Sequence, residues 1–312
     1  MNLKYVEATM NITVQAAQDI GRRKEQQDSF AIANDPEKSF KEHGGLLALV
    51  ADGMGGLKCG ALASRTAADT FIEEYAEKSP DESIEAALNR SIIAANEAVC
   101  RVSKENGIEG DCGTTLVATV IHESGIYWTF AGDSRIYLTD GTVLQLLTED
   151  QNYARKLLRA AETGLVDAEV AQTHPQREAL TSYLGDSKIS EIGSGELKGD
   201  IPDGITLLLC TDGLYKFLEE DQILAITQKN HLAIAQELTD ATLAQDHASQ
   251  DNITAVVLQV TRNKKTFNKP VMLKISAIAL LILAILIAIL YVHSNVVHNM
   301  LDITMSRFLS FF

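Results

Sequence analysis

Five short acidic motifs recur along the first 260 or so residues: Arg23-Lys24-Glu25-Gln26-Gln27-Asp28, Leu47-Ala48-Leu49-Val50-Ala51-Asp52-Gly53-Met54-Gly55-Gly56, Phe130-Ala131-Gly132-Asp133-Ser134-Arg135, Leu207-Leu208-Leu209-Cys210-Thr211-Asp212-Gly213 and Gln250-Asp251-Asn252. In four of them the aspartate stands at, or one residue beyond, the end of an apolar run. Carboxylates delivered by the ends of distant strands are what a chain needs to surround divalent cations, and an all-oxygen donor set selects Mg²⁺ or Mn²⁺ over zinc or copper. Two such ions about 3.5–4 Å apart, bridged by one carboxylate, lower the pKa of a shared water enough to supply a nucleophile near neutral pH without Ser, Cys or His.

Asp-Gly alone is common in plain turns, so the joint pattern carries the reading. Val50-Ala51-Asp52-Gly53 and Cys210-Thr211-Asp212-Gly213 end apolar runs on the same dipeptide. Gly53 lets its own carbonyl approach an ion, and Met54-Gly55-Gly56 keeps the backbone open around it. Arg23, five residues before Asp28, offers a planar fork suited to a phosphate. Its plainer role is a surface ion pair with Glu25 or Asp28.

Arg-x-x-x-x-Asp at 23–28, Asp-Gly-Met-Gly-Gly at 52–56, Gly-Thr-Thr at 113–115, Gly-Asp-Ser-Arg at 132–135, Thr-Asp-Gly at 211–213 and Asp-Asn-Ile-Thr at 251–254 follow one another in the order found in bacterial members of the metal-dependent protein phosphatase family, the protein phosphatase 2C-like or PPM type. The chain resembles them over about residues 12–260, and Thr173-His174-Pro175-Gln176-Arg177 is similar to their mobile flap. The resemblance implies an α-β-β-α sandwich and hydrolysis of phosphoserine and phosphothreonine in proteins. By it, Asp52 would bridge two Mn²⁺ or Mg²⁺ ions, the Gly53 carbonyl would bind one, and Asp212 with Asp251 would complete the other. Asp28 would hold water on the metal, Asp133 with Asp212 would hold a third ion, and Arg23 would grip the phosphoryl group. Asn252 would fix the Asp251 loop. Met54 stands where animal relatives have a histidine, which leaves the proton donor to the leaving oxygen unassigned, and Gln27 replaces an acidic residue common before the metal-site aspartate.

Several elements must position these groups. Apolar β-type runs occupy 45–51, 114–121, 125–131, 204–210 and 253–260, and Thr139-Asp140-Gly141 reads as a hairpin turn. Residues 61–77 and 83–103 are consecutive amphipathic helices, and Thr148-Glu149-Asp150-Gln151 resembles a capping box opening a helix toward Ala161. Paired helices followed by clustered strands lack a regular β-α-β-α rhythm, so the class is α+β with helices outside antiparallel sheets.

The 312 residues carry a net charge of -15. Residues 261–312 hold six Lys/Arg and one Asp, so the first 260 carry 21 basic against 41 acidic residues. So acidic a body excludes a nucleic-acid partner held through phosphates. Cys59, Cys100, Cys112 and Cys210 show no ligand-like spacing, which argues against zinc and against a disulfide framework and for a reducing compartment. Residues 275–292 are uncharged and apolar all round; as a helix they span about 27 Å, close to a hydrocarbon core. Five basic residues, Arg262, Lys264, Lys265, Lys269 and Lys274, precede them and only Arg307 follows, which places the large domain in the cytoplasm, beneath the inner membrane. The expected order is a catalytic domain over 1–262, a basic juxtamembrane linker over 263–274, a single transmembrane helix over 275–292 and a short extracytoplasmic tail over 293–312. Tethering points to phosphorylated membrane proteins, or a membrane Ser/Thr kinase, as partners.

Two rivals exist. Cys59 and Arg65 have the spacing of a cysteine-based phosphatase, although Gly55-Gly56-Leu57-Lys58 is not the apolar strand that such a cysteine follows. A membrane-tethered sensor or binding module on the same fold would have no need to crowd five carboxylates together.

Overall fold

Aliphatic and β-branched runs broken by glycine turns build the strands, and alanine-rich amphipathic stretches build the longer helices. The computed structural model describes residues 2–6, 10–33, 43–55, 59–229 and 232–262. Along them run β1 (Asn2–Val6), β2 (Met10–Asp19), β3 (Asp28–Ala33), β4 (Leu46–Gly55), α1 (Cys59–Ala76), α2 (Ile84–Glu105), β5 (Cys112–Thr114), β6 (Leu116–His122), β7 (Gly125–Ala131), β8 (Arg135–Thr139) and β9 (Leu144–Leu146). Then come α3 (Tyr153–Glu162), α4 (Ala168–Thr173), β10 (Gly193–Lys198), β11 (Thr206–Cys210), α5 (Asp212–Tyr215), α6 (Glu220–Thr227), α7 (Ile234–Leu243) and β12 (Ile253–Arg262).

Two antiparallel sheets result, one in the order β1-β2-β12-β11-β8-β9, the other β10-β7-β6-β4-β3 with β5 paired to β4. Ile12, Val14, Val50, Val117, Ile136, Leu209 and Val256 interlock between the sheets. α1 and α2 bury Phe71, Tyr75, Leu88 and Ile92 against the far face of the second sheet. Leu214, Ile223, Ile234 and Leu238 from α5, α6 and α7 cover the far face of the first against Leu208 and Val257. Each sheet is therefore apolar on both faces, as four layers require, and the α-β-β-α sandwich is the observed architecture.

The five apolar runs are strands, and the two consecutive helices run 59–76 and 84–105. The 139–141 turn is present: Gly141 has φ +89°, and Asp140 Oδ1 accepts from the Thr142 amide at 2.8 Å. Three expectations need correction. The helix toward Ala161 begins at Tyr153, capped by Asn152 through the Arg155 amide. Thr148-Glu149-Asp150-Gln151 is no capping box, because each side chain is engaged elsewhere: Thr148 accepts from the Ile136 amide, Asp150 pairs with Arg135, Glu149 pairs with Arg155 and Arg159 and Gln151 accepts from the Gly132 amide. Cys59 and Cys112 form a disulfide. Their spacing of 53 residues gave no hint of it, since pairing of β5 with β4 is what brings them together. Finally, the first sheet's β2, the longest of the strands that sequence alone did not reveal, alternates apolar and polar residues only at its start, then runs Gln-Ala-Ala-Gln-Asp.

Among the described residues no helix is long and apolar enough to cross a membrane; the predicted span 275–292 lies outside them, as do the linker and tail.

Candidate active site

Strand pairing carries the five aspartates to one end of the sandwich. Asp28 opens β3 directly opposite Asp52 on β4. In the first sheet Cys210 pairs with both Arg135 and Ala255, so Asp133, Asp212 and Asp251 all leave from the same edge. Gly53 and Gly213 are where neighbouring backbone presses in. A Cβ on Gly53 would lie 2.1 Å from the Gly60 carbonyl oxygen, and one on Gly213 would lie 1.9 Å from that of Asn252. The second residue of each Asp-Gly pair is thus glycine because the next element packs on it.

Hydroxyls hold the strands in place. Thr114 Oγ1 and the Thr115 amide both donate to the Asp52 carbonyl, each at 2.9 Å, and Thr115 Oγ1 accepts from the Asp52 amide at 3.0 Å. Thr211 Oγ1 and Thr254 Oγ1 donate to Asp28 Oδ2 at 2.9 and 2.7 Å. Asn252 knits the 20–27 turn to the start of β12: its Nδ2 donates to the carbonyls of Ile20 and Glu25, and its Oδ1 accepts from the Gln27 amide at 2.8 Å. That is the loop-fixing role expected of it. Arg135 grips Asp150 through two hydrogen bonds of 2.9 and 2.7 Å and lies over the Tyr215 ring, whose hydroxyl donates to the Asp133 carbonyl.

Electrostatics mark the place as one built for cations. Burial, then Asp28, Asp212, Asp133 and Asp251, hold the Asp52 carboxyl well above the ordinary carboxylate range. Burial raises Asp28 to about 7 despite the two threonine hydroxyls, with Asp212 and Asp251 adding to the rise. Burial and Asp212 push Asp133 to about 7 as well. Asp212 Oδ1 is buried without a hydrogen-bond partner among the described residues. Among the described residues no three His, Cys, Asp or Glu side chains stand close enough to hold one ion as they are. Even so, an orphaned carboxylate oxygen and mutually repelling acids are the donor chemistry that hard divalent ions satisfy, and the residues fit them.

Asp28, Asp52, Gly53, Asp133, Asp212 and Asp251 are brought together. Arg23 joins them at the rim, its guanidinium 2.5 Å from Asp251 Oδ2 and more than half exposed, so it pairs with a predicted metal ligand rather than with Glu25 or Asp28. Four residues carry roles that sequence reasoning left unread: Thr115, Thr211, Thr254 and Lys216. The three threonines sit inside the quoted motifs, but a hydroxyl's target is visible only in three dimensions. Cys59 is buried and bonded to Cys112 and Arg65 is exposed on α1, which leaves no cysteine nucleophile there. Beside the aspartates lies a cleft of about 800 Å³ lined by Asp150, Asn152, Arg155, Arg177, Glu178 and Lys216. The flap-like segment borders it, held by backbone bonds from Tyr153 to Ala179 and from Ala154 to Arg177.

Comparison with known proteins gives the same direction. The family model described as protein phosphatase 2C matches residues 17–249. The serine/threonine phosphatase stp of Listeria monocytogenes serotype 4b is 32% identical over 216 residues, covering 68% of this chain and 84% of the relative. The crystal structure of the Mycobacterium tuberculosis serine/threonine phosphatase PstP/Ppp superposes with a TM-score of 0.64 at 27% identity, over 80% of this chain and 98% of that one. The catalytic domain of PstP in complex with two manganese ions gives a TM-score of 0.64 at 26% identity, over 81% of this chain and 100% of that one. This chain belongs to the protein phosphatase 2C family.

Proposed function

We propose that the chain is a metal-dependent protein serine/threonine phosphatase that uses two Mn²⁺ or Mg²⁺ ions to hydrolyse phosphoserine and phosphothreonine. The observation that carries this reading is the gathering of Asp28, Asp52, Asp133, Asp212 and Asp251 so closely that Asp52 feels the charge of the other four. Asp52, the Gly53 carbonyl, Asp212 and Asp251 would hold the ions, with Asp28 and Asp133 beside them. When bound, the ions supply the Lewis acidity that lets water act as a nucleophile near neutral pH. Arg23 orients the phosphoryl group with a guanidinium that Asp251 has already aimed. Thr211 and Thr254 keep Asp28 fixed, and the cleft beside Lys216 receives the peptide around the phosphorylated residue.

The apolar run 275–292 anchors the enzyme to the cytoplasmic membrane with its catalytic domain, 1–262, inside. Phosphorylated membrane proteins, or a membrane Ser/Thr kinase, are the substrates and partner that such tethering favours.

The test is Mn²⁺-dependent release of phosphate from a phosphothreonine peptide by the full-length chain, run beside Asp52→Asn and Arg23→Ala. Turnover that disappears in EDTA and in Asp52→Asn, with a raised KM in Arg23→Ala, supports the reading. Equal turnover in Asp52→Asn refutes it. Recovery of the chain in the soluble fraction after cell lysis would refute the anchor alone.

A further inference from the structure

Lys216 follows α5 and reaches back to its first residue. Its Nζ lies 2.8 Å from Asp212 Oδ2 and 2.8 Å from Oε2 of Glu178, the residue that follows the flap-like segment. Asp212 therefore presents two different oxygens: Oδ2 is taken by the ammonium, while Oδ1 is buried and has no hydrogen-bond partner among the described residues. Asp133 is buried.

We propose that the Lys216 ammonium is the resident cation of the Asp133–Asp212 side of the site, so that this enzyme binds two divalent ions and not a third there. The inference rests on the dimetal reading above and adds to it. A divalent ion between Asp133 and Asp212 would have to displace an ammonium already bonded to two carboxylates, and would be repelled by it at contact distance. The oxygen left over, Asp212 Oδ1, remains available to the pair of ions. Because the same ammonium also holds Glu178, the C-terminal end of the flap-like segment is tied to Asp212 by one side chain, with no ion required.

The experiment is the number of Mn²⁺ ions bound per full-length chain, measured by equilibrium dialysis with metal analysis. The native chain is expected to bind two. Lys216→Met and Lys216→Ser, either of which removes the charge, are expected to bind a third and weaker ion, and Lys216→Met combined with Asp133→Asn is expected to return to two. Glu178→Ala, which removes the acceptor beside the flap-like segment but leaves Lys216 on Asp212, should stay at two. Three ions on the native chain, or two on both neutral Lys216 variants, would overturn the proposal. No ion on the native chain would instead overturn the dimetal reading on which it stands.

Discussion

Asp28 and Asp52 face each other as cross-strand partners on β3 and β4, but only Asp28 is satisfied, by the hydroxyls of Thr211 and Thr254. One carboxylate is anchored by the opposite sheet, while its partner has no hydrogen bond to its side chain from any described residue. The anchored acid sets where the pair stands, and the other carries no such anchor.

The pKa values of Asp28 and Asp133, raised from 3.8 to about 7, set a pH dependence. An acid that holds its proton more tightly folded than unfolded stabilises the fold at low pH, and that contribution is lost as pH rises from about 4 through about 7. In EDTA the chain should therefore melt lower at about pH 8 than at about pH 6, by roughly 2–4 °C for each kcal/mol involved. Saturating Mn²⁺ should remove the difference. A metal-free melting temperature that climbs over that range, in scanning calorimetry, would contradict this.

Thr254→Val removes one of the two hydroxyls on buried Asp28 while keeping the shape. The expected loss is about 1–3 kcal/mol, read from urea denaturation, accompanied by weaker Mn²⁺ binding. Unchanged stability would show that Thr211 alone suffices.

Gly53→Ala places a methyl 2.1 Å from the Gly60 carbonyl oxygen and 2.5 Å from that of Gln27. Both obstacles are backbone, so α1 must shift away from β4. Overpacking of this kind costs about 1–3 kcal/mol, and phosphatase activity should fall more than 10-fold because Asp52 moves with the strand. A variant with native activity and melting temperature would mean that α1 is not seated on Gly53.

Cys59 and Cys112 close a loop of 53 residues, for which chain entropy assigns roughly 4 kcal/mol. Thiol titration of the unfolded, unreduced chain should find two free thiols, Cys100 and Cys210, and Cys59→Ser with Cys112→Ser should lower stability by up to that amount. Four titratable thiols would show that the pair is not bonded.

Much of this molecule is written locally. The runs 125–131 and 253–260 are apolar enough to be strands wherever they sit, and 83–103 repeats its alanines and isoleucines at helical spacing. The edges of the second sheet were illegible: β3, Asp28–Ala33, is short and opens on two polar residues, and β10, Gly193–Lys198, is short and half polar, so their pairing rather than their composition makes them strands. The turn after β9 misled because Thr followed three residues later by Gln is a capping-box pattern in isolation, and the Ile136 and Gly132 amides claimed those two side chains first.

By itself the sequence determined that five aspartates in ordered motifs would meet, that oxygen-loving ions suit them, and that Arg23 stands near. Chain order and side-chain chemistry are local properties. Tertiary structure alone decided that Arg23 rests on Asp251, that Cys59 bonds Cys112, that threonines from the opposite sheet hold Asp28, and that Lys216 occupies one oxygen of Asp212. Except for the last, which spans one helical turn, each joins residues dozens to hundreds of positions apart. Such contacts exist only after distant strands have paired within a sheet, or the two sheets have packed face to face.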